Sequence, residues 1–187
     1  MIRVWWAVII LGLCCMALPQ LTSADEKTVA TRYAIGGTTG LTYDPNNDYD
    51  FVQITGIALY DYETVWKHRA PEPLRFKIEW NAGITTAPQT RAMLSANFLA
   101  LYYMNMCRNE TLRPYVEAGI GVAYTDFQVH NQGLRVNFNP QIGMGTEIKS
   151  GERTWFTGFR FHHISNGGLH HDNRGVNSIV WQIGMFF

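Results

Sequence analysis

The chain has 187 residues and carries 15 basic and 15 acidic side chains, a balance that excludes a basic nucleic-acid-binding surface. It is 47% hydrophobic and 13% aromatic. Beyond the N-terminus, however, no apolar run reaches the roughly 18 residues that a membrane helix needs. A helical membrane protein is excluded, which leaves a soluble globule or a β-barrel.

Met1-Ile2-Arg3 forms a short positive n-region, Val4 to Leu18 an apolar h-region, and Thr22-Ser23-Ala24 a small-residue cleavage site. Residues 1–24 therefore read as a secretory signal peptide and 25–187 as a single barrel domain. Cys14 and Cys15 are expected to leave with the signal. Cys107 then remains alone, and the exported protein is expected to hold no internal disulfide.

From Thr31 onward, eight segments of strand length are separated by turn signals: 31–40, 51–62, 74–84, 92–105, 113–124, 138–149, 154–165 and 177–187. They suit a transmembrane strand of about 9–11 residues. Their alternation has one apolar face and one polar or glycine face. Phe76, Ile78, Trp80, Ala82 and Ile84 oppose Arg75, Lys77, Glu79 and Asn81. Val116, Ala118, Ile120 and Val122 oppose Tyr115, Glu117, Gly119 and Gly121; Ile142, Met144 and Ile148 oppose Gln141, Gly143, Gly145 and Glu147. Charged and glycine faces fit the crowded interior of a narrow barrel.

The last segment alternates through Ile179, Trp181, Ile183, Met185 and Phe187, and a closing aromatic resembles the assembly signal of bacterial outer-membrane barrels. The expected fold is all-β, an eight-stranded antiparallel transmembrane barrel. Tyr33, Tyr60, Tyr62, Trp66, Tyr102, Tyr103, Tyr124 and Trp155 are candidates for interfacial girdles. With both termini periplasmic, segments 41–50, 85–91, 125–137 and 166–176 are expected outside the cell. The acidic stretch 41–50 lacks diagnostic calcium spacing and reads as a solvated loop.

In segment 154–165, Trp155, Thr157, Phe159, Phe161, His163 and Ser165 share the face turned to lipid, while Phe156, Gly158, Arg160 and His162 face inward. Asn177 has the parity of Ile179 and Trp181 and also faces lipid. Polar groups against hydrocarbon are costly, so three of them on one outer surface point to function. A serine becomes nucleophilic when a base takes its proton and a third group orients that base. His163 is the candidate base, Ser165 the nucleophile and Asn177 the orienter. If Ser165 lies opposite Asn177, then Asn177 is the diagonal neighbour of His163.

The run His163-Ile164-Ser165-Asn166, the following Gly168-Leu169 and the turn Asn173-Arg174-Gly175 resemble the lipid A 3-O-deacylase (PagL) family of outer-membrane hydrolases. The resemblance implies that Ser165 is the nucleophile and His163 the base. It places oxyanion donors on the Gly168 N–H and the Asn173 side chain, with Asn166 in support. Asn177 stands where described members carry glutamate. An amide can still orient an imidazole but loses the charge that stabilises the imidazolium, so slower turnover or a different pH profile is expected.

The implied reaction is hydrolysis of the 3-O-linked acyl ester of lipid A at the outer leaflet. Arg91, Arg135 and Arg174 are candidate phosphate contacts in the outer loops. Alternatives are a phospholipase-type lipid hydrolase and a non-enzymatic adhesion or structural barrel. The expected partners are lipopolysaccharide and outer-membrane lipid, with room for a homo-oligomer. Neither cofactor nor metal is expected, because His170 and His171 are adjacent and ill placed to share one ion.

Overall fold

The computed structural model describes residues 29–45 and 49–187, so the expected signal segment with Cys14 and Cys15 lies outside the described residues. The alternating segments form β1 (Arg32–Asp44), β2 (Phe51–Asp61), β3 (Leu74–Thr85), β4 (Ala92–Tyr103) and β5 (Leu112–Thr125). They continue through β6 (Val136–Phe138), β7 (Gln141–Ser150), β8 (Arg153–Ile164) and β9 (Val176–Phe186). A short helix α1 (Tyr62–Trp66) and a one-turn 3₁₀ segment at Asn105–Cys107 interrupt the connections at the end that holds the termini.

Every pairing is antiparallel. β1 joins β9 and β4 joins β5, so the sheet closes on itself. β6 and β7 share one place in the wall, because Phe138 opposite Val122 and Gln141 opposite Gly119 lie on one continuous register. Asn139 keeps that register by exchanging backbone bonds of 3.1 and 2.9 Å with Gly121. Pro140 has no N–H to donate and breaks the ladder there. The result is a closed eight-stranded antiparallel barrel, as the alternation predicts, with its sixth strand interrupted by a proline.

Burial is inverted relative to a soluble protein. Ile54 is 67% exposed and Phe161 60%, whereas Glu79 is 1% and Arg160 3% exposed. Apolar side chains cover the outside, where lipid solvates them, and charges fill the inside. Arg160 donates to Glu79 Oε1 and Oε2 at 2.8 and 2.7 Å and to Glu117 Oε1 at 2.5 Å. Lys77 donates to Glu117 and lies 3.4 Å from Glu79. Two cations thus neutralise two carboxylates across β3, β5 and β8, and Gln141 and Gln182 complete the guanidinium's partners.

The glycines of the interior face make room for this network. A Cβ on Gly143 would stand 2.6 Å from Arg160 Cγ. Apolar layers close both ends of the ionic centre. Ile57, Leu59, Leu101 and Phe156 lie toward the termini, and Phe51, Met93, Val129, Ile164, Val176 and Val180 toward the opposite end. The barrel is filled rather than open.

Two details differ from the sequence reading. β1 runs to Asp44 and takes up the first four residues of the stretch expected as an acidic loop. Tyr103, a candidate girdle residue, is buried inside, where its hydroxyl donates to Glu147 Oε1 at 2.5 Å. Tyr102 takes the outward position, since neighbours on a strand face opposite sides.

Candidate active site

At the end opposite the termini, β8 and β9 finish in an inward pair, Ile164 opposite Val176, both buried in the apolar layer. Their burial fixes the parity of what flanks them. His163 and Ser165 on one strand, and Asn177 and Gly175 on the other, take the outer wall. His163 lies directly opposite Asn177, not diagonal to it, so the register differs by two residues from the one that would set Ser165 against Asn177. Ser165 stands one step beyond the last paired residues, beside Gly175. On its other side its backbone exchanges bonds of 3.1 and 2.8 Å with Phe138.

The imidazole Nδ1 of His163 is 2.5 Å from Asn177 Oδ1. Asn177 Nδ2 donates to Asp44 Oδ2 at 2.7 Å, and Arg174 donates to the other oxygen of Asp44. The His163 ring lies over Gly175, where a Cβ would stand 2.5 Å from Cε1. Consecutive same-face residues on a strand are about 6.6 Å apart. Among the described residues the Ser165 hydroxyl makes no side-chain hydrogen bond, and the imidazole bonds through Nδ1 to Asn177. Asp44, read from the sequence as part of a solvated loop, is the residue of this cluster that the sequence reading missed, and Gly175 entered that reading only as part of the turn.

The loop between β8 and β9 is built around buried Asn166. Its Oδ1 accepts from Gly168 N–H at 2.9 Å, its Nδ2 donates to Asp172 O at 2.7 Å, and its own N–H donates to Asn173 Oδ1 at 2.8 Å. Gly167 and Gly168 have φ of +63° and +86°, a region that favours glycine. The Gly168 N–H is therefore engaged with Asn166, whereas the Asn173 amide nitrogen is the end of that side chain left to donate. The 126–135 segment buttresses the loop: Gly133 N–H donates to Asp172 O and Arg174 N–H to Asn131 O, both at 2.8 Å.

Of the three candidate arginines, Arg91 and Arg135 converge on Asp126, and Arg174 pairs with Asp44. His162 faces inward, buried near Phe51, as its parity predicts. The His170 and His171 rings lie 4.3 Å apart, with His171 Nε2 3.2 Å from Asp172 Oδ2 and His170 Nδ1 accepting the Asp172 N–H at 3.1 Å. Below the polar cluster, Thr39, Leu41, Phe159, Ile179 and Trp181 line an apolar groove down the outer wall.

Fold and site together define an outer-membrane-type β-barrel with a serine, a histidine and an asparagine set on its apolar exterior. The chain belongs to the lipid A 3-O-deacylase (PagL) family, whose sequence model matches residues 54–186. It is 27% identical over 165 residues to the lipid A deacylase PagL of Pseudomonas aeruginosa, covering 85% of this chain and 86% of the relative. The crystal structure of the outer membrane enzyme PagL superposes with a TM-score of 0.56 at 25% identity, over 83% of this chain and 98% of that one. Neisserial surface protein A shares the barrel alone, with a TM-score of 0.64 at 12% identity over 86% of this chain and 98% of that one. Membership of a deacylase family makes the protein a hydrolase.

Proposed function

We propose that the protein hydrolyses the 3-O-linked acyl chain of lipid A, with Ser165 as nucleophile, His163 as base and Asn177 as orienter. His163 Nε2 takes the Ser165 proton as Oγ attacks the ester carbonyl. The tetrahedral oxyanion forms beside the Asn173 amide and the Gly168 N–H, which would share its proton between the oxyanion and Asn166. Collapse returns the proton from His163 to the departing sugar hydroxyl. Water, activated by the same imidazole, then releases the fatty acid and regenerates Ser165.

The observation that carries this reading is the placement of the opposed pair His163 and Asn177, with Ser165 on the same column, on the outer wall of a barrel from a deacylase family. Polar groups beside Phe161, Ile179 and Trp181 gain nothing from hydrocarbon, but they meet an ester whose acyl chains lie in it. The groove below them suits one such chain. On this reading the site end of the barrel faces the outer leaflet, where lipid A resides. The test is release of hydroxylated fatty acid from lipid A by the parent protein and its absence with Ser165→Ala.

A further inference from the structure

We infer that Asp44 is a positioning residue for this hydrolysis and restores, from the neighbouring strand, the carboxylate that position 177 lacks; the inference rests on the reading above. A carboxylate only accepts hydrogen bonds, so the atom of Asn177 that lies 2.7 Å from Asp44 Oδ2 must be its amide nitrogen. That assignment turns Asn177 Oδ1 toward His163. An amide oxygen also only accepts, so His163 Nδ1, at 2.5 Å, must carry the ring proton. The lone pair is then left on Nε2, the nitrogen the mechanism needs. One obligate acceptor thereby sets the tautomer of the base through an amide.

The backbone explains why Asp44 can do this. β1 pairs with β9 in regular register through Thr42 opposite Ser178, then shifts by one residue, so that Asp44 rather than Tyr43 falls opposite Asn177. Such a bulge re-aims the residue that follows it. Arg174 pairs with the second carboxylate oxygen and fixes the orientation of the group.

Asp44→Asn keeps the shape but allows the amide pair to turn over, and so separates this role from packing. Histidine-labelled protein, refolded in detergent, is read by imidazole ¹⁵N chemical shifts, with His163→Gln identifying the signal. The parent should show the Nδ1–H tautomer and Asp44→Asn a mixture, whether or not any lipid is cleaved. In turnover, Asp44→Asn should lower kcat roughly tenfold with KM little changed, and Asp44→Glu should recover part of the loss. In an Asn177→Glu background the sign should reverse, because two facing carboxylates repel and Asp44→Asn relieves them. An Nε2–H tautomer in the parent, or equal effects of Asp44→Asn in both backgrounds, overturns the inference. Activity that survives Ser165→Ala overturns the hydrolase reading instead and leaves the tautomer result standing.

Discussion

Gly175 and His163 are in contact across the end of the β8–β9 hairpin, and the imidazole occupies the space a side chain at 175 would need. A Cβ there would stand 2.5 Å from Cε1 and 3.3 Å from Nε2 of the ring. The hydrogen bond to Asn177 holds one edge of the imidazole, and the bare glycine backbone leaves room for the rest of the ring.

Gly175→Ala should therefore move the ring while leaving the barrel folded. A misplacement of about 1 Å can cost about a hundredfold in rate, and a loss of that order in kcat is expected. Heat-modifiable migration on gels checks that the fold is kept. Parent-like turnover would mean that the ring position over Gly175 plays no part in the reaction.

His163 and Asn177 should differ in how much they contribute. Removing the base takes away both proton transfers, so His163→Ala is expected to cost at least about 10⁴-fold. Asn177→Ala removes the group that orients the ring and relays its tautomer but leaves the base in place, and should cost less than His163→Ala. Assays of acyl release with each purified variant decide this, and equal turnover of Asn177→Ala and the parent would take Asn177 out of the site.

The interior makes a prediction about stability rather than rate. Arg160 touches both Glu79 and Glu117, so Arg160→Met leaves two buried carboxylates facing one lysine. Breaking a buried ion pair from one side costs about 3–5 kcal/mol. The midpoint of urea unfolding in lipid vesicles should fall accordingly. The double substitution Arg160→Met with Glu79→Gln should recover part of the loss, because it removes one of the stranded charges.

How much of this was legible in the sequence follows the periodicity of a strand. Alternation alone separates Lys77, Glu79 and Arg160 from Trp80, Phe159 and Phe161, because a charge and an aromatic cannot exchange faces without a one-residue slip. It likewise places His163, Ser165 and Asn177 outward. Register is a different matter. The turn between Ser165 and Gly175 is too long to fix it, and the burial of Ile164 and Val176 sets only the faces, which a register two residues away would keep; the pairing of His163 with Asn177 emerges only in the folded hairpin. Asp44 was hidden for a related reason. Its side chain reaches Asn177 only through the bulge after Thr42, and a bulge leaves no mark in an acidic stretch that reads as loop. The interruption at Pro140 is visible as a residue, but its harmlessness depends on Asn139 keeping both bonds to Gly121.

The departure of this chain from the family's glutamate also takes on a definite meaning. Asn177 is not isolated: it sits between an imidazole and a carboxylate, at 2.5 and 2.7 Å. On the reading proposed above, a carboxylate one hydrogen bond away on another strand stands in for that charge, and the paired variants at 44 and 177 are what separate relocation from loss.

The most direct measurement is mass spectrometry of lipid A from cells expressing the parent or Ser165→Ala at matched levels of folded barrel, with phospholipid from the same cells followed in parallel. Loss of one 3-O-linked hydroxyacyl chain with the parent, and intact lipid A with Ser165→Ala, is the expected result. Identical lipid A spectra from the two, or fatty acid drawn from glycerophospholipid in place of lipid A, would contradict it.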